Sequence, residues 1–323
     1  MSKTIFILGA GASKESGAPL MNDFLDSARE LYSSHKISAE YNVDFERVFT
    51  GISELQKIHS KSILDIYNIE SVFATFEMGR LIEKLPGFSE IDQINDLISF
   101  TKKLIYVTLD RSTPLRITHE TNIPIPNNSY HNLIQLLLQF EKNDSEIPSI
   151  ITFNYDLAVD YAIHYNNYTS DYCIDSSNKG KSIKILKLHG SLNWFSSAEK
   201  IVPFELGEIM KWYNFELLDK GPIYLNLLDK VKKNNNEIKY ENKKIKVESE
   251  PLIIPPTWNK TEANYNIGIR KVWNQAAKEL SEAENIFIIG YSLPETDYFF
   301  KYLFALGTEG KKIIKKYGYL IQI

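Results

Sequence analysis

Apolar and polar positions along this chain follow two alternating periods. Thr4-Ile5-Phe6-Ile7-Leu8 is an unbroken apolar, β-rich run, the pattern of a strand buried on both faces. It passes directly into Gly9-Ala10-Gly11-Ala12-Ser13-Lys14-Glu15-Ser16-Gly17-Ala18-Pro19, and an amphipathic stretch over 22–32 follows. Strand, glycine-rich turn and helix in that order predict a phosphate loop, because glycine lets the backbone approach a pyrophosphate closely. The loop departs from the dehydrogenase fingerprint. Lys14 stands where Gly-x-Gly-x-x-Gly has its third glycine, and no strand ending in an acidic residue follows about 20 residues on. A tight turn with no ligand is the ordinary alternative for a lone Gly-x-Gly.

From Asn22 to about Lys142 apolar residues recur three and four apart. Examples are Met21-x-x-Phe24-Leu25-x-x-Ala28, Val72-Phe73-x-x-Phe76-x-x-Gly79 and Leu133-Ile134-x-x-Leu137-Leu138, the spacing of one helix face. Turns are expected at Pro86-Gly87 and over Pro124–Asn128. Strand character returns at Ser149–Phe153, Ile183–Leu188, Leu252–Ile254 and Asn285–Ile289, with helical patterns over Ile269–Leu280 and Tyr298–Leu306. Alternating strands and helices predict an α/β fold, a doubly wound parallel sheet of Rossmann-like type with a helical insertion. The expected division is a nucleotide-binding domain over 1–21 and 146–323, and a mainly helical insertion over 22–145. Gly318–Ile323 reads as a further strand, either closing the sheet or standing where a longer natural chain continues. The lysine- and asparagine-rich stretch over 230–246 reads as a solvated loop or hairpin, with a basic docking site as its alternative.

Composition narrows the partners. A chain of 323 residues fits one large domain with an insertion, or two domains. The formal charge of −4 leaves no electrostatic footprint for nucleic acid. A single cysteine, Cys173, excludes an intramolecular disulfide and a multi-cysteine zinc site. That matches a reducing compartment, and Cys173 reads as a structural or surface thiol. No apolar stretch is long enough to span a bilayer, and Thr4–Ala12 lacks the basic segment of a secretory signal. A cytoplasmic location is therefore expected, with no membrane contact and no metal.

Three polar segments lie at the ends of predicted strands, where open α/β sheets bind their ligands. They are Thr152-Phe153-Asn154-Tyr155-Asp156, Lys187-Leu188-His189-Gly190-Ser191 and Gly290-Tyr291-Ser292-Leu293-Pro294. Singly, each has a plain explanation. Asn154 and Asp156 can cap the helix near Leu157, His189 can be a turn residue, and Ser292 with Pro294 can open the helix at Glu295. Together with the Gly9–Ser13 turn they predict one crevice.

The four segments carry a family resemblance. Gly9–Pro19 resembles the opening NAD-binding motif of the sirtuin superfamily. Thr152–Asp156 resembles its Thr-Gln-Asn-Ile-Asp motif, His189-Gly190 its catalytic His-Gly, and Gly290–Leu293 its later Gly-Thr-Ser-Leu segment. They occur in family order over nearly the whole chain. The departures are as informative. Sirtuin deacylases have Asp-Phe-Arg where this chain has Leu20-Met21-Asn22, a four-cysteine zinc module that one cysteine cannot supply, and a glutamine where Phe153 stands. The remainder resembles the zinc-less sirtuin-like proteins of bacterial antiphage defence, as do Ile69-Glu70-Ser71-Val72-Phe73 and Ile253-Ile254-Pro255-Pro256-Thr257.

That resemblance implies an NAD glycohydrolase, which depletes NAD in abortive infection. NAD is then substrate, and no metal is required. Asn154 and His189 are the implied catalytic pair, Asn154 orienting water or a ribose hydroxyl and His189 acting as general base or holding the ribose hydroxyls. Gly9, Ala10, Gly11, Ala12 and Ser13 would meet the pyrophosphate, and Gly290 and Ser292 the ribose-phosphate side. Asp156 is grouped with these cofactor-binding residues, chiefly as support for the Asn154 turn. A homo-oligomer is implied, with an activating or inhibiting protein partner: a translocase-type ATPase, an Argonaute-like protein or a sensor. Alternatives left open are ADP-ribosyl transfer, deacylation, and a non-catalytic module that senses NAD or an ADP-ribose derivative.

Overall fold

The computed structural model describes residues 3–57, 64–117, 124–143, 146–175, 180–198, 200–211, 213, 222–240, 243–254, 267–292, 298–309 and 312–320. β1 (Thr4–Leu8) leads through a 3-10 stretch over Ala10–Ser16 into α1 (Phe24–Ser33), α2 (Asn42–Gln56), α3 (Ile69–Leu81) and α4 (Ile91–Ser112). A short pair, β2 (Arg116–Ile117) and β3 (Pro124–Ile125), precedes α5 (Asn128–Lys142). Next come β4 (Ser149–Thr152), α6 (Ala158–Tyr165), β5 (Thr169–Asp171), β6 (Ser182–Lys187), β7 (Gly190–Ser196) and β8 (Ile201–Pro203). After α7 (Leu206–Met210) and α8 (Leu227–Lys233) lie the hairpin β9 (Glu237–Tyr240) and β10 (Lys243–Lys246), then β11 (Pro251–Ile253). The described chain closes with α9 (Ile267–Glu282), β12 (Asn285–Ile289), α10 (Tyr298–Gly307) and β13 (Lys316–Leu320).

Six strands form one parallel sheet in the order β13-β12-β1-β4-β6-β5. This is the doubly wound α/β architecture expected from the alternation of strands and helices. β1 is buried along its whole length, as its unbroken apolar run requires when both faces and both edges are covered. The chain winds outward from β1 through β4 and β6, then crosses back to place β12 on the other side of β1. The reversal makes the carboxyl ends of β1 and β12 the switch point of the sheet, where such folds open a crevice.

Local chemistry starts the helices around that crevice. Asn68 accepts hydrogen bonds from the Glu70 and Ser71 amides at 2.8 and 3.3 Å and so fixes the first turn of α3. Glu90 and Gln93 form a reciprocal capping box at the start of α4. Asn127 accepts from the Tyr130 amide and opens α5.

Two hydrophobic cores result. One surrounds the parallel sheet and includes Tyr130, Ile134 and Leu137 of α5. The other joins α1–α4 to side chains of the 192–253 stretch, such as Phe195, Ile209, Val231 and Ile253. α5 thus packs with the parallel sheet, whereas α1–α4 pack against the 192–253 stretch. A three-stranded antiparallel sheet, β11-β7-β8, contributes side chains to both cores.

Two expectations are refined here. Leu252–Ile253 form a strand, but it pairs antiparallel with β7 outside the main sheet. The 237–254 stretch returns through a hairpin, and antiparallel pairing needs no long crossover. The basic stretch over 230–246 folds as the end of α8 and the β9–β10 hairpin. Pro255, Pro256, Thr257, Leu293, Pro294 and Glu295 lie outside the described residues. Gly318 to Leu320 belong to the outer strand β13, while 321–323 are likewise outside.

Candidate functional site

The glycines of the β1 turn meet those at the end of β12. The Gly9 amide donates to the Ile289 carbonyl at 3.0 Å and the Gly11 amide to the Gly290 carbonyl at 2.8 Å. A Cβ on Gly9 would stand 2.5 Å from the Tyr291 Cα. Gly290 has a φ of +62°, and a Cβ there would come within 2.1 Å of the Ala12 nitrogen. These residues are glycine because two strand-end loops touch backbone to backbone. Strand, glycine-rich turn and helix follow in the expected order, and the glycines close the chain upon itself.

Asn154 ties a third strand end to this junction. Its amide nitrogen donates to the Gly9 carbonyl and the Ser13 hydroxyl, each at 2.9 Å. The Ser13 hydroxyl also pairs with the Tyr130 hydroxyl at 2.8 Å. With both amide hydrogens so engaged, the carbonyl oxygen is the remaining acceptor of the Asn154 side chain. Asp156 accepts from the Ala158 amide at 3.0 Å, which is the local helix-start role considered for it. Burial raises the Asp156 pKa above its ordinary value, against the opposing pull of Lys187 and hydrogen bonds from Ser13 and Ala158.

Lys187 supports this turn from beneath. Its ammonium is fully buried, lies 2.8 Å from the Asp160 carboxylate, and donates to the Asp156 carbonyl at 2.6 Å and the Ser191 hydroxyl at 2.9 Å. Lys187 was legible only as the residue before Leu188-His189. Its interior direction follows from the alternation of β6, where polar lysines take both faces.

His189 occupies the turn between β6 and β7, buried at 3% exposure. Its carbonyl accepts from the Ile254 amide at 2.9 Å. Phe153 stands edge-on to its ring with centroids 5.3 Å apart and stacks on Tyr291 at 4.5 Å. Phe153 is thus an apolar wedge joining two strand ends and packed on the His189 ring.

All these elements surround one cavity of about 360 Å³, within the size range of small-molecule sites. Of the residues singled out in the sequence, Ala10, Gly11, Ser13, Asn154, Asp156, His189, Gly290 and Ser292 line it. Gly9 and Ala12 lie behind the lining, in the backbone junction. Sequence reasoning did not assign to the site Leu20, Met21, Phe24, Ile69, Glu70, Phe73, Ile105 and Leu109, which line the same cavity. The Ile69–Phe73 run had been noted, but its orientation toward the cavity depends on how α3 packs. Among the described residues no group of three histidine, cysteine, aspartate or glutamate side chains is placed to hold a metal ion. None of the described helices is long and apolar enough to cross a membrane.

No protein-family model and no curated protein matches the chain. Among solved structures it is similar to a Sir2 homologue in complex with NAD, at 13% identity over 98% of this chain and 83% of that one, with a TM-score of 0.39. A Sir2 homologue mutant in complex with ADP-ribose is similar at 12% identity over 94% and 77%, with a TM-score of 0.39. A structure addressing sirtuin substrate affinity is similar at 14% identity over 98% and 88%, with a TM-score of 0.36. These scores are low. The fold described above rests on this chain's own strand order and register.

Proposed function

We propose that the chain cleaves the bond between nicotinamide and ribose in NAD, giving nicotinamide and ADP-ribose. The observation that carries this reading is the convergence of four separate strand-end segments on one cavity at the switch point of the sheet. Cleavage sends the electron pair of the glycosidic bond to the nicotinamide nitrogen, which departs neutral and needs no acid. Positive charge develops on the ribose, as in glycoside hydrolysis generally. Water then bonds to the anomeric carbon and gives up a proton.

His189 takes that proton in this reading, and the side-chain carbonyl oxygen of Asn154 orients the water or a ribose hydroxyl. The turn over Gly9–Ser13 holds the pyrophosphate, and Gly290 and Ser292 meet the ribose-phosphate side. Asp156 keeps the Asn154 turn in place through the Ala158 amide and Ser13. No step calls for a metal.

The sequence resemblance to antiphage proteins supports a setting in which this activity drains NAD from an infected cell. Such an activity is held back until an assembly step or a protein partner releases it. A homo-oligomer and a translocase-type ATPase, Argonaute-like or sensor partner belong to the same proposal.

The decisive experiment measures nicotinamide and ADP-ribose release by the purified chain beside His189→Ala. Loss of the base should slow release about 100-fold or more. Equal turnover in the variant, or a chain that binds no NAD, would overturn the assignment.

A further inference from the structure

A buried ion pair is a poor source of stability, since a well-packed apolar pair of like volume often holds a fold as well or better. Lys187 and Asp160 are nonetheless both fully buried, 2.8 Å apart. What an apolar pair cannot supply is direction. An ammonium carries three donors, and Lys187 aims them at three different segments. One goes to the Asp160 carboxylate on α6, one to the Asp156 carbonyl at 2.6 Å and one to the Ser191 hydroxyl at 2.9 Å. Asp156 belongs to the turn that carries Asn154, and Ser191 follows the turn that carries His189. The Asp160 end is itself anchored. The Tyr172 hydroxyl donates to Asp160 at 2.7 Å, and the Asn193 side-chain amide donates to the Tyr172 hydroxyl at 2.9 Å. Main chain joins the same two turns, the Leu188 amide donating to the Thr152 carbonyl and the Leu192 amide to the Tyr155 carbonyl, each at 3.0 Å.

We propose that Lys187 is a positioning residue for the cleavage: its ammonium clasps the Asn154 turn to the His189 turn and fixes the spacing between the orienting amide and the base. This rests on the NAD reading above and adds a residue that does not itself line the cavity. A misplacement of about 1 Å between reacting groups can cost ~100-fold in rate. The dinucleotide is held by other turns, so loss of the clasp falls on kcat and spares KM.

The test compares wild type with Lys187→Met/Asp160→Leu, which replaces the whole ion pair and should leave the chain folded with a melting temperature near that of wild type. Nicotinamide release should show kcat lowered about tenfold or more, with KM changed by less than about twofold. A purely structural lysine predicts that turnover returns with stability. Hydrogen exchange reads the clasp without ligand. The Leu192 amide, which bridges the two turns, should exchange about tenfold faster in the variant, while the amides of β1 stay protected. Ser191→Ala removes one arm and keeps the ion pair. It should lower kcat with little change in melting temperature, and should add little to the double variant, because both act on one tie. Wild-type kcat in the double variant, or in Ser191→Ala should the double variant not fold, overturns the proposal and leaves the NAD reading standing. Unchanged exchange at Leu192 overturns it likewise. A wild-type chain that binds no NAD overturns both.

Discussion

At the scale of single residues, the glycines of the site leave no room for a side chain. Gly290 combines a left-handed φ with backbone contact to the β1 turn. A side chain costs about 1–2 kcal/mol in that conformation before any clash. Gly290→Ala should therefore destabilise the chain by more than ~2 kcal/mol in denaturant unfolding and abolish NAD binding. Asn154→Ala removes links to both Gly9 and Ser13, so its loss of turnover should come with a lower melting temperature. Asp110 offers a pH test away from the cavity. Burial pushes its carboxyl up to about 6, although it accepts from the Leu225 and Asn226 amides. A raised acid pKa means that the folded chain holds the proton more tightly than the unfolded one. Asp110 thus favours folding most below about pH 4, and that contribution disappears as pH rises through about 6. The stability difference between wild type and Asp110→Asn should change across that window and level off above it. A flat difference would remove Asp110 as the titrating group.

At the scale of elements, β6 and α6 meet through a buried ion pair. Removing Lys187 leaves the Asp160 carboxylate without its cation in an interior where Tyr172 alone donates to it at 2.7 Å among the hydrogen bonds described. Lys187→Met should cost about 3–5 kcal/mol, whereas pairing it with Asp160→Leu should recover much of that loss, as chemical denaturation can measure. The elements also show what a sequence conveys. β1 and β12 were legible as continuous apolar runs, and β4 and β6 as β-branched stretches that polar residues flank or interrupt. The glycine and polar residues at the strand ends marked the crevice. The share of the cavity that α3 and α4 line was not legible. Periodicity identifies the apolar stripe of α3 and α4 without saying which part meets a cavity and which part a neighbouring helix. The pairing of Leu252 and Ile253 with β7 was hidden too, since a short apolar run does not reveal the direction of its partner.

At the scale of the whole molecule, the cavity lies between two cores and takes residues from both. A ligand there should hold the lobes together. In His189→Ala, NAD at about 100 times its Kd should add ~2.7 kcal/mol of stability, raising the unfolding midpoint in a single transition. A shift confined to one of two resolved transitions would place the ligand in one lobe. The seam between Gly11 and Gly290 has one more consequence, for the order of events during synthesis. A ribosome adding ~5–20 residues per second reaches Gly290 on the order of tens of seconds after Gly11. Until then β1 lacks its β12 neighbour, and the emerging chain carries the turn without a crevice. If the chain cleaves NAD as proposed, that activity is withheld while it is being made, since the site lacks its β12 wall until Gly290 has been added.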